Sequence, residues 1–181
     1  MNTDNMTSQV ETGHRAWKLG NDVDTDQLAP GAYMKFGIDE IARHCLQGVR
    51  PEFAGGVRPG DVLVAGPNFG IGSSREQAAA ALVALGVHAV IAPAYSGLYF
   101  RNAFNVGLLL LTCARATEIE EGERVRIDLD GPSVVRADGS VLPCEPIPGF
   151  LLDMVQAGGL LNQLKRRLAS GELARHPMKA I

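Results

Sequence analysis

The sequence predicts an α/β domain in which helices flank a parallel sheet core and an added antiparallel β layer completes the fold. Three apolar segments of strand length, residues 61–65, 88–92 and 107–111, alternate with two helical patterns, residues 74–85 and 95–104. This order implies right-handed crossovers and therefore parallel strands. The three strands are apolar throughout, as expected when helices cover both faces of a sheet. Short strands separated by turn residues follow, and they indicate antiparallel pairing.

The remaining elements are predicted from turn residues and hydrophobic periodicity. Residues 15–19 form a candidate first strand, and the turn formers of residues 20–26 end it. Apolar residues at helical spacing predict a short helix within residues 38–46. Gly86 ends the Ala-rich helix of residues 74–85. The last part of the chain is predicted to hold strands at residues 125–129, 133–136 and 141–142 and helices at residues 150–156 and 159–168.

The composition is that of an ordinary globular protein and argues against several classes of function. Of the 181 residues, 46% are hydrophobic and 20% are charged, and the net charge is −3. The sequence contains no basic block, which argues against nucleic acid as a partner. No apolar run is long enough to cross a bilayer, and the polar N-terminus lacks a secretory pattern. We therefore expect a cytoplasmic protein without membrane partners.

The chain reads as one domain with two short ends. It contains no internal repeat and no low-complexity linker, so residues 15–170 are predicted to fold as a single unit. Residues 1–14 are polar and are predicted to be a disordered lead-in. Residues 171–181 are expected to be a C-terminal tail.

The cysteines predict neither a metal site nor a disulfide framework. Cys45, Cys113 and Cys144 are odd in number and far apart, and none belongs to a C-x-x-C pair. We interpret them as reduced thiols that serve as small apolar residues. The four histidines show no mutual spacing typical of a metal site. The chain is therefore expected to bind no metal of its own.

A glycine-rich segment, residues 66–76 (GPNFGIGSSRE), is the strongest functional signal. It joins a buried strand to a predicted helix start, where free N–H groups and the helix dipole attract anions. Arg75 adds a guanidinium fork that can bind a carboxylate through two hydrogen bonds. The segment therefore favours a substrate that carries a carboxylate. The alternative is structural: Ser73 or Ser74 caps the helix and Glu76 stabilises its first turn.

The sequence Gly-Ser-Ser-Arg-Glu after a glycine-rich turn resembles the signature of the swivelling domain of the aconitase superfamily. The likeness extends over residues 15–168. The segments that carry it are residues 22–30, 33–36, 95–111 and 150–159, of which the first contains an Asp-Thr-Asp loop. In length, the chain resembles the free-standing small subunits of 3-isopropylmalate dehydratases, also called isopropylmalate isomerases. The resemblance implies a swivelling β/β/α domain.

The resemblance also implies roles for residues of the two loops. Ser73 matches the family's catalytic serine, the base that takes a proton next to a carboxylate. Gly72, Ser74 and Arg75 match positions that bind the substrate carboxylate. Asp26 matches an acidic position at the catalytic site. The alternative for Asp26 is an Asx-turn residue that only shapes its own loop.

Lys35 and Phe36 fall in the segment that selects the substrate in the family. Aconitases carry an arginine close to the position of Gly37, so the resemblance does not extend to citrate. Phe36 suits an alkyl substituent, and Lys35 suits a polar one. The alternative is a solvated lysine and a core phenylalanine. This chain also departs from many relatives at Ile71, where they have Cys, and at Gln77, where they have His.

By resemblance, the partner is a large subunit that carries a 4Fe–4S cluster, and this chain binds none. The implied reaction interconverts 2-isopropylmalate and 3-isopropylmalate by dehydration and rehydration, a step of leucine biosynthesis. Related substrates are citramalate, dimethylmalate and homoaconitate. Two other functions stay open: a non-catalytic binding module of the same fold, and a dehydratase of a phosphorylated hydroxy acid, for which the sequence shows no phosphate pocket.

Overall fold

A computed structural model describes residues 13–170, and the predicted tail and nearly all of the predicted lead-in lie outside this range. Seven strands form one mixed sheet in the order β4-β3-β2-β1-β5-β6-β7. The strands are β1 (His14–Lys18), β2 (Val62–Val64), β3 (Ala89–Ala92), β4 (Leu109–Thr112), β5 (Arg124–Asp128), β6 (Ser133–Val135) and β7 (Val141–Pro143). Strands β1 to β4 are parallel, and β5 to β7 continue the sheet with antiparallel pairing from β1. The mixed sheet predicted from the sequence is confirmed.

Seven helices and two 3₁₀ turns connect these strands in the part of the chain that the structure describes. The helices are α1 (Thr25–Leu28), α2 (Ile38–Arg43), α3 (Phe53–Gly56), α4 (Gln77–Ala84), α5 (Gly97–Asn105), α6 (Gly149–Ala157) and α7 (Leu160–Ala169). The 3₁₀ turns are Gly31–Phe36 and Ala116–Glu118. The sequence analysis did not predict α1, α3 or the 3₁₀ turns, because each is too short to show a periodic apolar pattern.

The two faces of the parallel strands are buried under different layers. Successive residues alternate between the faces, so that Leu63 of β2 points to one side and Val62 and Val64 point to the other. The Leu63 side packs against the helices, including Leu82 of α4. The Val62 side packs against apolar residues of β5, β6 and β7, such as Val134. Helix α6 adds side chains to both clusters, and the antiparallel strands supply part of the second cover, which gives the β/β/α layering.

Helix α4 begins later than the apolar pattern predicts. The prediction placed its start at Ser74, but the helix begins at Gln77 with Glu76 as its N-cap. No side chain within residues 13–170 caps this end, so neither Ser73 nor Ser74 serves as a cap. The expectation of a capping serine is therefore wrong. The backbone of both serines is hydrogen-bonded outside the helix: Ser73 N–H donates to the Thr25 hydroxyl, and the Ser74 carbonyl accepts from Asn102.

None of the helices between residues 13 and 170 combines the length and apolar character that a membrane span requires.

Candidate functional site

Two loops that are distant in sequence lie side by side at the ends of β1 and β2. Gly70 N–H donates to the Val23 carbonyl at 2.7 Å, and Thr25 N–H donates to the Ile71 carbonyl at 2.9 Å. One residue further, Ser73 N–H donates to the Thr25 hydroxyl oxygen at 2.9 Å. These bonds run in a short parallel register that includes a bridge between Asp24 and Ile71. The Asp-Thr-Asp loop and the Gly-Ser-Ser-Arg segment therefore form one unit.

Helix α5 forms the floor beneath the glycine-rich segment. Gly70 has a φ of +78°, and a Cβ atom at this position would overlap the ring of Tyr99, which is buried. The buried amide of Asn102 donates to the Ser74 carbonyl at 2.9 Å. Glycine is therefore required at position 70 by both its backbone conformation and its contact with the ring. The floor fixes the backbone on either side of Ser73.

Ser73 presents its hydroxyl at the surface while its backbone is held from below. Residues 72, 73 and 74 are all exposed. The Ser73 hydroxyl oxygen lies 3.0 Å from the hydroxyl oxygen of Thr25, which is 1% exposed. The predicted base is thus open to a ligand from outside the domain.

Arg75 and Asp26 form an ion pair across the two loops. Arg75 Nη1 donates to Asp26 Oδ1 and also to the Ala29 carbonyl at 3.4 Å. Within residues 13–170, Nε and Nη2 of Arg75 make no hydrogen bond. These two nitrogens form one edge of the guanidinium fork, which matches the two oxygens of a carboxylate. Asp26 orients the cation and leaves that edge available to an anion.

The two aspartates of the Asp-Thr-Asp loop have different roles. The Asp24 carboxylate accepts a hydrogen bond from Gln27 N–H at 2.7 Å, and Gln27 Oε1 accepts one from Asp24 N–H at 3.1 Å. This reciprocal pair is a capping box at the start of α1. The turn-shaping role considered for Asp26 therefore belongs to Asp24. Asp26 instead meets Arg75, and its catalytic role stays a prediction.

The 3₁₀ turn Gly31–Phe36 places Lys35 and Phe36 on the surface. Phe36 is 60% exposed, so the interpretation of a core phenylalanine is wrong. The Lys35 ammonium lies 4.9 Å from the centroid of the Phe36 ring, in the range of a cation–π contact. The ring of Tyr33 stacks on that of His44 at a centroid distance of 3.6 Å. This stack ties the turn to the residue that follows α2.

Three residues of the site were missed by the sequence analysis. They are Thr25, Tyr99 and Asn102, and they are buried at 1%, 1% and 6% exposure. Little in the sequence marked Asn102, because the same helix also contains Arg101 and Asn105 and only the structure shows which amide is buried and requires a partner. No local signal marks Thr25, because its partner Ser73 is 48 residues away.

Neither of the two loops contains a cysteine. Cys45 and Cys113 are buried and Cys144 is half-buried, and none is in a disulfide. Burial raises the pKa of the Cys45 thiol. The Cys144 thiol, by hydrogen bonding, lowers the pKa of Cys113 to about 7. Among the described residues, no cluster of three or more His, Cys, Asp or Glu side chains is arranged to hold a metal ion.

A groove of about 660 Å³ lies between α6 and α7, and its lining includes none of the predicted site residues. The groove is lined by Phe150, Asp153, Met154, Gln156, Ala157, Leu160, Gln163, Arg166 and Arg167. The candidate site is therefore the exposed surface of two loops. A surface of this kind becomes an enclosed site when a second protein covers it.

Comparison with known proteins finds relatives over most of the chain. A family model described as the aconitase C-terminal domain matches residues 57–116. The 3-isopropylmalate dehydratase small subunit 1 of Archaeoglobus fulgidus is 44% identical over 83% of this chain and 95% of its own length. The methanogen homoaconitase small subunit of Methanocaldococcus jannaschii is 44% identical over 84% of this chain and 91% of its own length.

A solved structure has the same fold. The crystal structure of a 3-isopropylmalate dehydratase from Methanocaldococcus jannaschii aligns with a TM-score of 0.82 and 42% sequence identity. The alignment covers 89% of this chain and 97% of the other. The resemblance in the sequence and the fold it implied are both confirmed.

Proposed function

This chain belongs to the aconitase family of hydro-lyases, and we propose that it is the small subunit of an enzyme that interconverts 2-isopropylmalate and 3-isopropylmalate. The observation that carries the proposal is the pairing of an exposed serine with a half-buried arginine on one fixed loop. The Ser73 hydroxyl and the Arg75 guanidinium both belong to residues 72–75. That loop is held to the Asp-Thr-Asp loop by backbone bonds of 2.7 and 2.9 Å. A base and a carboxylate-binding cation at fixed spacing suit a hydroxy-dicarboxylic acid.

The reaction divides into two half-reactions that share the same residues. In the first, Ser73 removes a proton from the carbon beside a carboxylate, and loss of the hydroxyl from the neighbouring carbon gives an alkene. Arg75 binds that carboxylate through its free edge and stabilises the charge that the proton loss creates. In the second, Ser73 returns that proton to the other carbon of the double bond, and hydroxide adds to the carbon that first lost the proton. The elements of one water leave and return, so the product is an isomer.

A serine hydroxyl is a very weak base in water, so Ser73 requires an environment that stabilises its alkoxide. Fixed donors in a site closed to water supply such stabilisation. The exposure of Ser73 in this chain indicates that the closure comes from outside the domain. The small-subunit names of the relatives imply a large-subunit partner.

We assign the iron–sulfur cluster of the family to the large subunit. The donor set at the loops consists of hydroxyls, a carboxylate and a guanidinium, whereas an iron–sulfur cluster is held by thiolates. These residues fit the substrate and do not fit the cluster. When bound to the partner, the cluster would act as a Lewis acid toward the departing hydroxyl. The free thiols suit the reducing cytoplasm, where we place the enzyme.

A second candidate substrate is homoaconitate, which differs by an additional carboxylate. One observation favours it, the exposed Lys35 ammonium beside Phe36. The identity of 44% to a methanogen homoaconitase small subunit equals that to 3-isopropylmalate dehydratase small subunits and keeps both substrates in the comparison. The exposed Phe36 ring favours an isopropyl group instead. Citramalate and dimethylmalate carry small alkyl groups, so they are also candidate substrates.

The proposal is tested by co-expression of this chain with the large subunit encoded in the same genome, followed by anaerobic assay. The panel contains 2-isopropylmalate, homoaconitate, citramalate, dimethylmalate and citrate. We expect turnover of isopropylmalate that requires both chains. Full turnover by the isolated small subunit without metal would contradict the proposal, as would an assembled complex that turns over none of these acids.

A further inference from the structure

Thr25 is buried directly beneath the exposed serine, although its neighbours in the Asp-Thr-Asp loop face outward or cap the helix. It is the first residue of α1 and is 1% exposed, whereas the Asp26 side chain is 67% exposed. Its own N–H donates to the Ile71 carbonyl at 2.9 Å, so its backbone is fixed. A buried hydroxyl requires partners because its desolvation is costly. Both partners of this hydroxyl belong to Ser73.

The Thr25 hydroxyl has two contacts with Ser73, one with its backbone and one with its side chain. Its hydroxyl oxygen accepts from Ser73 N–H at 2.9 Å, which uses one lone pair and leaves the single hydroxyl proton unused. The Ser73 hydroxyl oxygen lies 3.0 Å away. Within residues 13–170, the Thr25 hydroxyl makes no other hydrogen bond. Once Ser73 has lost its proton, the Thr25 proton points to the serine oxygen.

Gly72 keeps this approach open. Its φ is +104°, and a Cβ atom there would lie 3.0 Å from the Thr25 hydroxyl oxygen. A side chain at position 72 would therefore press on the hydroxyl that contacts Ser73. The backbone geometry of the Gly-Ser-Ser-Arg segment thus matches the presence of a hydroxyl at position 25.

From this geometry we propose that Thr25 is a positioning residue that holds Ser73 in its reactive orientation and donates a hydrogen bond to its oxygen when that oxygen is ionised. The inference rests on the proposed function, because it requires Ser73 to act as the base. Thr25 keeps its proton throughout the cycle: the substrate proton moves to Ser73 and back. A donor aimed at developing negative charge typically lowers the barrier more than it strengthens binding of the ground state.

The experiment compares Thr25→Val with Thr25→Ser in the assembled two-subunit enzyme. Valine keeps the shape of threonine and removes the hydroxyl, and we expect kcat to fall by about 10²-fold while KM changes by less than about threefold. The rise of kcat/KM with pH should move to higher pH, since the serine alkoxide loses a donor. Thr25→Ser keeps the hydroxyl and should retain kcat within about tenfold of the parent enzyme.

A failure of the proposed function and a failure of the inference about Thr25 give different results. Full turnover by Ser73→Ala would show that Ser73 is not the base, and the role proposed for Thr25 would then have no foundation. If Ser73→Ala is inactive but Thr25→Val keeps the kcat and the pH profile of the parent enzyme, the role of Thr25 is wrong and the proposed function still stands. A rise of KM without loss of kcat would also overturn the role of Thr25, because that pattern indicates a structural role. If Thr25→Val does not assemble, Thr25→Ala removes the same hydroxyl with a smaller side chain, and the same outcomes apply.

Discussion

The Gly70–Arg75 loop and the 3₁₀ turn Gly31–Phe36 both present predicted site residues, but they are held in different ways. Backbone bonds to the Asp-Thr-Asp loop, the Tyr99 ring and the Asn102 amide fix the first from below. The second contains no buried residue and is tied down through the stack of Tyr33 on His44. Its two outermost side chains, Lys35 and Phe36, contact each other.

This difference suggests different roles for the loop and the turn in the candidate site. The loop holds the predicted base Ser73 and the predicted carboxylate-binding Arg75 on one backbone that is hydrogen-bonded to neighbouring elements. On the proposed function, we expect proton transfer and carboxylate binding to depend on the loop. We expect substrate choice to depend on the turn, whose exposed side chains a partner would cover. Substitutions in the loop should change rates and stability, and substitutions in the turn should change preference among substrates.

The largest effect is expected from Ser73→Ala in the assembled enzyme. Removal of the base should lower kcat by about 10²- to 10⁴-fold, the usual contribution of a positioned proton-transfer group. Steady-state kinetics with 2-isopropylmalate would measure it. Ser74→Ala is the matched comparison, since the structure fixes its carbonyl through Asn102 and leaves its side chain exposed. It should mainly raise KM, and an equal loss of kcat in both variants would contradict the assignment.

Arg75→Lys should have the next largest effect. Lysine keeps the charge but loses the planar edge formed by Nε and Nη2, so KM should rise by about 10- to 100-fold. Asp26→Asn is the companion variant, because it removes the charge that orients Arg75. A double-mutant cycle on kcat/KM should show coupling between the two positions. Strictly additive effects would show that the ion pair plays no part in binding.

Gly70→Ala tests the rigidity of the loop through stability. The added methyl overlaps Tyr99 in a backbone conformation with positive φ, so we expect a loss of about 1–3 kcal/mol in the free energy of unfolding. Gly31→Ala is the control in the turn, where a Cβ atom meets nothing within 4 Å. It should change stability by less than about 0.5 kcal/mol. Urea unfolding would measure the free energy of unfolding of both variants. Equal values would contradict the expected difference between the loop and the turn.

Phe36→Ala should have the smallest effect on the protein and a selective effect on its substrates. The side chain is exposed, so the free energy of unfolding should change by less than about 0.5 kcal/mol. The ratio of kcat/KM for isopropylmalate to that for homoaconitate should fall by about tenfold, the scale of one lost apolar contact. Competition assays with both acids would measure this ratio. An unchanged ratio would remove Phe36 from substrate selection.

Local patterns in the sequence carried much of the fold. Apolar runs located β2, β3 and β4, since a strand buried on both faces must be apolar along its length. The same patterns misplaced the start of α4, because Ser74, Arg75 and Glu76 do not break a helical pattern and the bond from Asn102 to the Ser74 carbonyl is invisible in the sequence. The sequence analysis expected helices on both faces of these strands, whereas β5, β6 and β7 share the cover of the second face. An apolar strand does not reveal what covers it.

The sequence alone determined the order of the strands and the family, and it predicted that Ser73 and Arg75 meet an acid. The tertiary structure decided that Asp26 holds Arg75, that Phe36 is exposed, and that Thr25 lies beneath Ser73. The physical reason is the distance along the chain. Propensity and periodicity report on neighbours within a few residues, whereas the contacts of Thr25 with Ser73 and of Asp26 with Arg75 join positions 48 and 49 residues apart.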